Sequence, residues 1–378
     1  MPNDGYIIFP SMSDHLHLHR KTPLRDQPGK GHNRWHPDIA PGIRVACGAT
    51  VELDCIDAVD TQVKPGMKHE DVLTCDLSRA HPMTGPVYVE GAEPGDLLAI
   101  KVVNIQTDDS GFTMILPGVG YLRDVFTKPF LVHWEIRNGF ARSPQIPGIR
   151  IPGAPFMGVM GVAPSHELLE RINARETELA GRGGFVLLPD AGNALPTDPA
   201  IANTAFKTIA PHENGGNFDI KQLIAGSTLY LPVYVPGALF SAGDTHFAQG
   251  DGETCVTAVE TSSRFTATFN VIKGEAKRRG LTDPSFTCPP HPDDNRKGGY
   301  YGTTGIPVRK DGRAEAEDLN LCCRNALMNM IDYMVDQYKL SPEQAYCLSS
   351  VAVNLRISNV VDVPNFVVSA FLPLDIFE

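Results

Sequence analysis

The chain's 35 Gly and 31 Pro are scattered between short apolar runs instead of being gathered into a linker. Proline removes a backbone donor and breaks helices, and glycine weakens element interiors while permitting sharp turns. Punctuation this dense leaves room mainly for many short strands joined by turns. Strand candidates, most of them rich in β-branched residues, are Ile43 to Cys47, Thr50 to Ile56, Val87 to Glu90, Leu97 to Ile105, Leu131 to Ile136, Ser227 to Val235 and Cys255 to Ser262. Helical signals are few. Ser165 is a plausible N-cap for a helix to about Leu179, and apolar residues from Leu319 to Met334 recur at helical spacing within a run from about Ala314 to Tyr338. Ser341-Pro342-Glu343-Gln344 spells a capping box with proline at the first helical position. Two strands, Val351 to Ile357 and Phe366 to Leu372, follow.

The expected fold class is β-rich α+β, with β-sandwich or barrel-like units and a C-terminal α+β portion. At 378 residues the chain has room for two or three units. These are an N-terminal β-rich domain over 1–150, an excursion with one helix over 151–215, and over 216–378 a second β unit followed by the α+β portion.

With 42% hydrophobic and 20% charged residues the chain is an ordinary globular one, neither disordered nor coiled-coil. Its net charge of −11 and the lack of basic runs beyond Lys277-Arg278-Arg279 argue against nucleic acid as a partner. No apolar stretch approaches the roughly 18 to 20 residues that span a bilayer, so no membrane partner is expected. Met1-Pro2-Asn3-Asp4-Gly5 lacks the basic and apolar regions of a signal peptide, which points to the cytoplasm. The cysteines at 47, 55, 75, 255, 288, 322, 323 and 347 form no Cys-x-x-Cys pair and read as reduced thiols.

Several familiar chemistries fail by spelling. Leu239-Phe240-Ser241-Ala242-Gly243 lacks the first glycine of a nucleophile elbow, and neither Walker A nor Gly-x-Gly-x-x-Gly occurs, so no nucleotide cofactor is expected. His166-Glu167-Leu168-Leu169-Glu170 misses the second histidine of a zinc-protease helix. His15, His17 and His19 alternate, as metal ligands on one face of a strand would, but in a polar segment where a solvated strand is the plainer reading.

The stretch Ser241 to Glu260 holds the chemistry. Gly250-Asp251-Gly252 between strand-like runs reads as a hairpin turn. With Gln249 to Gly252 as the loop, Ala248 opposes Glu253, and Asp244, His246 and Glu253 share a face, with Cys255 on it too. A carboxylate and an imidazole two residues apart, with a second carboxylate across the turn, suit a hydrolytic metal site with a base beside the water. A second polar cluster, Pro211 to Lys221, contains paired glycines, Asn217 and Asp219. A third, Asp57 to Gln62, places acid and amide groups at a strand end.

Six ordered blocks resemble the acetamidase/formamidase family: Asn33-Arg34-Trp35-His36-Pro37-Asp38-Ile39; His81 to Leu97; Gly158 to Ser165; Gly215-Gly216-Asn217-Phe218-Asp219; Gly243-Asp244-Thr245-His246 through Glu253; and Val361-Asp362-Val363-Pro364-Asn365. The first block and the C-terminal region look closest to the formamidase branch. The resemblance implies hydrolysis of a short amide to its acid and ammonia by a β-rich homo-oligomer whose relatives bind metal. Asp57 and Gln62 fit an Asp-x-x-x-Gly-Gln pattern, with Thr61 in place of the glycine. On this reading Asp219, Asp244, His246 and Asp57 are ligands of a divalent ion, zinc by preference, and Glu253 is the acid–base. Gly215, Gly216, Asn217 and Gln62 would bind substrate. Alternatives are acetamide or another short aliphatic amide as substrate, a cysteine amidase using Cys255 with Glu253 and Lys221, and a non-catalytic small-molecule or metal-binding protein.

Overall fold

The computed structural model describes residues 14–378, so the Met1 to Gly5 segment on which the expected localisation rests lies outside the described residues. The chain is a β-rich α+β protein organised around two large sheets. One has six strands in the order Asp14–Leu16, Thr50–Cys55, Ser263–Ile272, Leu97–Thr107, Thr228–Pro232 and Ser285–Thr287. The other has eleven, with Phe240–His246 between Phe156–Gly161 and the short strand Glu260–Thr261, and with Met83–Val89 paired along its first half.

The sheets face each other across one core. Val51, Leu53, Ile100, Phe265 and Phe269 of the first meet Val87, Val89, Met157, Met160, Phe240 and Ala242 of the second. Each large sheet draws strands from both the 1–150 and the 216–378 segments, so the core is shared across the segment boundaries. The far part of the eleven-stranded sheet, through Val132, Trp134, Ile149 and Ile151, packs on a second core with Leu327, Met330, Ile331, Tyr346 and Leu348. A three-stranded sheet, Tyr300–Gly305, Val367–Pro373 and Asn354–Asn359, closes that core.

Helix α1, His166–Gly181, starts where Ser165 accepts a hydrogen bond from the Leu168 amide. Helix α2 covers Leu319–Tyr338 and begins later than residue 314, because Glu317 is in the left-handed region (φ +61°) and the Asp318 carboxylate caps the Leu321 amide. Helix α3, Pro342–Ala352, carries the full capping box of Ser341 and Gln344. It is buried all along from Ala345 and runs through the expected start of a strand, which forms instead at Asn354–Asn359. Of the expected strand Cys255 to Ser262, only Glu260–Thr261 pairs within the eleven-stranded sheet, and Ser263–Ile272 forms a separate strand of the six-stranded one. Among the described residues, no helix is long and apolar enough to cross a membrane.

Candidate active site

The strand Phe240–His246 is buried at every residue, which would be unremarkable for an apolar run but demands a reason for Asp244 and His246. Strict alternation does not hold along it. Ala242 faces the sandwich core, and Thr245, three residues on, reaches the other sheet through Ser263 Oγ (2.7 Å). The slip occurs at Asp244, whose φ of +56° turns Asp244 and His246 to the opposite face. There Gly158 lies opposite Asp244 on the neighbouring strand and leaves open the space that the acids fill. A Cβ at Gly158 would stand 2.6 Å from both Asp219 Oδ1 and Asp244 Oδ2, and 2.9 Å from His246 Cε1. The Gly158 carbonyl also accepts hydrogen bonds from the amides of Phe218 (3.1 Å) and Asp219 (3.3 Å), delivering Asp219 to the cleft.

His246 is the hub. Its Nε2 lies 3.3 Å from Asp244 Oδ1, 3.3 Å from Glu260 Oε2 and 3.6 Å from Glu253 Oε1, while Asp219 Oδ1 lies 4.0 Å from its Nδ1. Gln249 Oε1 faces Nδ1 at 2.8 Å, and Gln249 Nε2 donates to the Asp219 carbonyl (2.9 Å). Since an amide oxygen only accepts, Nδ1 donates to Gln249, and Nε2 is the ring nitrogen turned to the carboxylates. The ring of Phe156 packs edge-on against His246, with centroids 5.0 Å apart. His81 Nε2 approaches Asp244 Oδ2 at 4.0 Å.

Asp244, His246 and Glu260 form the floor, with Asp219 and Glu253 partly open above them. Buried polar atoms without a hydrogen-bond partner include Asp219 Oδ1, Asp244 Oδ1, His246 Nε2 and Glu260 Oε2. Four carboxylates around one imidazole leave an excess of negative charge in a desolvated cleft. Burial pushes Asp219 and Glu260 up to about 7. Burial together with the Asp219 charge raises Glu253 well above the usual carboxylate range. Burial opposes ionisation of Asp244 as well, yet the adjacent His246 and His81 hold it below its ordinary value. Burial disfavours the His246 imidazolium, but Glu260, Asp244 and Glu253 outweigh it and raise that residue well above its usual pKa. Protons thus take up charge that a cation would otherwise balance. Asp219, His246 and Glu253 form one group of potential metal ligands and Asp244, His246 and Glu260 another, sharing the imidazole. The unpartnered lone pairs and the mix of one nitrogen with carboxylate oxygens fit a divalent ion.

Asp219, Asp244, His246 and Glu253 are therefore brought together, although by a different hairpin from the one expected. The ladder places His246 opposite Glu260, and it continues as Phe247 N–H donates to the Val259 carbonyl (2.8 Å). The loop spans 249–258; Gly250 to Glu253 form a turn within it, the Glu253 amide donating to the Gly250 carbonyl (3.3 Å), but that turn does not close the hairpin. Glu253 reaches His246 from within that loop, with φ at +41°. The same wide loop carries Cys255 away from the acids and into the second core, beside Cys347 and Ser350. Lys221 is also engaged elsewhere, in a buried ion pair with Asp293 (2.7 Å).

Asp57 joins none of the potential ligand groups among the described residues. Its Oδ1 caps its own turn by accepting from the amides of Val59 and Thr61, both at 3.1 Å. It lines a cavity of about 640 Å³ with Thr61, Phe112, Trp134 and Glu260, the last of which also belongs to the cleft floor. Gln62 is likewise spent on local structure, donating to the carbonyls of Val59 and Asp76 and accepting from the Asp76 amide. The Gly215 amide donates to the His212 carbonyl (3.0 Å) and so is not free to hold an oxyanion. Gly215 and Gly216, at φ +101° and +108°, lie where Trp35 packs: a Cβ at the paired Gly161 would stand 2.7 Å from the Trp35 ring. Asn217 Nδ2 donates to the Ile209 carbonyl, and its Oδ1 is buried without a partner.

Sequence reasoning missed Glu260, Gln249, His81 and Gly158 as members of the site. A signal existed for Glu260, an acid directly after Ala258-Val259 in a strand-like stretch that would not otherwise bury it. The others carried none beyond lying in or beside the blocks quoted above.

Residues 17–378 match the acetamidase/formamidase family. The chain is 33% identical to a formamidase of Methylophilus methylotrophus over 377 residues, covering 93% of this chain and 91% of that one. It is 34% identical to an acetamidase of Mycolicibacterium smegmatis over 357 residues, covering 87% of each. Among solved structures, a gamma lactamase from Delftia acidovorans superposes with a TM-score of 0.91 at 35% identity, covering 97% of this chain and 94% of that one.

Proposed function

The chain belongs to the acetamidase/formamidase family, and from that premise we propose that it hydrolyses formamide to formate and ammonia in the cleft around His246. It is an amide hydrolase acting on short aliphatic amides; formamide as the preferred one is the finer part of the proposal. The observation that carries the site is the convergence of Asp219, Asp244, Glu253 and Glu260 on one buried imidazole with their facing atoms unpartnered.

Asp219, Asp244, His246 and Glu260 would hold a divalent ion, zinc by its affinity for mixed imidazole and carboxylate donors. Bound there, such an ion polarises a carbonyl and lowers the pKa of water towards 7. Glu253 is the proton carrier. It stands at the open side, outside the four proposed ligands and beside His246, where its carboxylate can accept a proton from water and return it to the departing nitrogen. The balance is one amide and one water consumed, one carboxylic acid and one ammonia released. Gln249 keeps the proton on His246 Nδ1, and Phe156 holds the ring from the side.

A second reading, hydrolysis of a cyclic amide, is favoured by the likeness to the lactamase over nearly the whole chain. One methyl group is worth only about 1–3 kcal/mol in a pocket, so acetamide should also turn over. The test is ammonia release from formamide and acetamide, alongside ring opening of a γ-lactam, before and after chelation and on adding back zinc. We expect formamide to be fastest and all activity to need the metal. Lactam opening faster than either linear amide would replace the formamide assignment, and full activity after complete metal removal would overturn the metal role.

A further inference from the structure

Away from the acidic cleft, the segment Asp14 to His19 alternates with unusual regularity: Leu16 and Leu18 are buried, and His15, His17 and His19 face outward. The strand Asp14–Leu16 runs parallel to Thr50–Cys55 with Leu16 beside Leu53, which brings Asp54 next to the outward histidines. Two imidazoles turn onto one atom. His15 Nε2 lies 3.0 Å and His17 Nδ1 2.6 Å from Asp54 Oδ2, and Asp54 is only 1% exposed. The other oxygen of the same carboxylate accepts from Arg264 Nε at 3.0 Å. His19 does not take part, because its Nδ1 faces Thr22 Oγ1 at 2.9 Å.

We propose that His15, His17 and Asp54 form a second divalent-metal site, independent of the amide-hydrolysing cleft. One ligand atom from each lies within 4.8 Å of the others. Two imidazoles with one carboxylate select a borderline transition ion such as zinc, nickel or copper over magnesium or calcium, which prefer all-oxygen shells. Arg264 fixes the carboxylate from behind, the kind of outer contact that orients metal-ligating carboxylates. The side chain of His17 is 63% exposed, which leaves a further position open to water. A metal here would tie the edge strand Asp14–Leu16 and the residues just after it to the neighbouring strand Thr50–Cys55. Simple hydrogen bonding of both histidines to Asp54 is the competing account, and it predicts no metal uptake.

Chelated wild-type protein equilibrated with zinc should take up one equivalent per chain more than the His15→Gln/His17→Gln double variant. His246→Gln should lose a different equivalent, so failure of either site is visible without the other. Equal uptake by wild type and the double variant overturns the proposal, whatever happens in the cleft. In crystals of the unaltered protein soaked in zinc, an anomalous peak is expected within bonding distance of His15 Nε2, His17 Nδ1 and Asp54 Oδ2. No peak there overturns the proposal even if the double variant does not fold.

Discussion

Asp219, Asp244 and Glu253 all have positive φ, at +50°, +56° and +41°. Left-handed backbone costs a non-glycine residue about 1–2 kcal/mol, and it persists only where surroundings over-determine it. Here Gly158 is the counterpart that makes room. Gly158→Ala should fold, judged by circular dichroism, but lose metal and at least about 10²-fold in turnover, as misplacement of about 1 Å can; retained metal and rate would show that the acids can shift to accept a methyl group. Glu253→Gln should keep its metal and lose roughly 10² to 10⁴ in turnover, whereas an unchanged rate would remove Glu253 from the mechanism. The acids also set a pH dependence. Without metal, Asp219 and Glu260 are raised to about 7, against about 4 in the unfolded chain. The folded state therefore binds more protons between those values, and this contribution to stability is lost as pH rises from about 4 through 7. The chelated protein's Tm should fall between pH 5 and 8, and zinc should lessen the fall by taking the protons' place. Equal slopes with and without zinc would contradict that exchange.

At the scale of elements, the loop that carries Gln249 and Glu253 is held from below by helix α3 and the strand after it. The Gly250 amide donates to the Ser350 carbonyl (2.8 Å), the Cys255 amide to Ser350 Oγ (3.1 Å), and the Tyr346 hydroxyl to the Thr254 carbonyl. Asn354 Oδ1 accepts from the Asp251 amide (3.1 Å) and from buried Lys221 Nζ. Hydrogen bonds to a charged group contribute about 1.5–3 kcal/mol, so Asn354→Ala should cost about 2 kcal/mol in denaturant unfolding. It should also lower kcat more than it raises KM, with metal content intact, while Asn354→Asp, which keeps the acceptor, should restore kcat. A loss of metal would mean that the clamp supports the ligands as well as Glu253. Helix α3 was legible because Ser341, Pro342 and Gln344 act through neighbouring backbone groups, which adjacent letters in the sequence specify. The hairpin was not. A glycine pair around Asp251 is compatible with a tight hairpin turn, and it takes the distant Tyr346, Ser350 and Asn354 to hold residues 249–258 open, shifting the partner of His246 from the expected neighbourhood of Glu253 to Glu260. Asp57 misled for the related reason that an acid at a strand end can cap its own turn as readily as bind an ion, and Val59 and Thr61 decide which.

For the whole molecule, the expectation is that it unfolds as one unit. The eleven-stranded sheet contributes to both large cores, and strands distant in sequence alternate within it. The chain's two tryptophans report on different places: Trp35 packs with Met83 and Leu168, and Trp134 sits in the core beneath α2 and α3. Trp35→Phe and Trp134→Phe, each followed by the remaining fluorophore and by circular dichroism, should show fluorescence and dichroism changing together within each variant. Transitions that separate would make the α+β portion an independently unfolding unit. The clamp described above also fixes an order of assembly during synthesis. Chains begin to fold from the N-terminal end as they are made, but Asn354, which secures the loop bearing Glu253, is translated about a hundred residues after it. A nascent chain can form the strand of Asp244 and His246 long before the proposed proton carrier is held in place, so hydrolysis is expected only once the strand bearing Asn354 has been made.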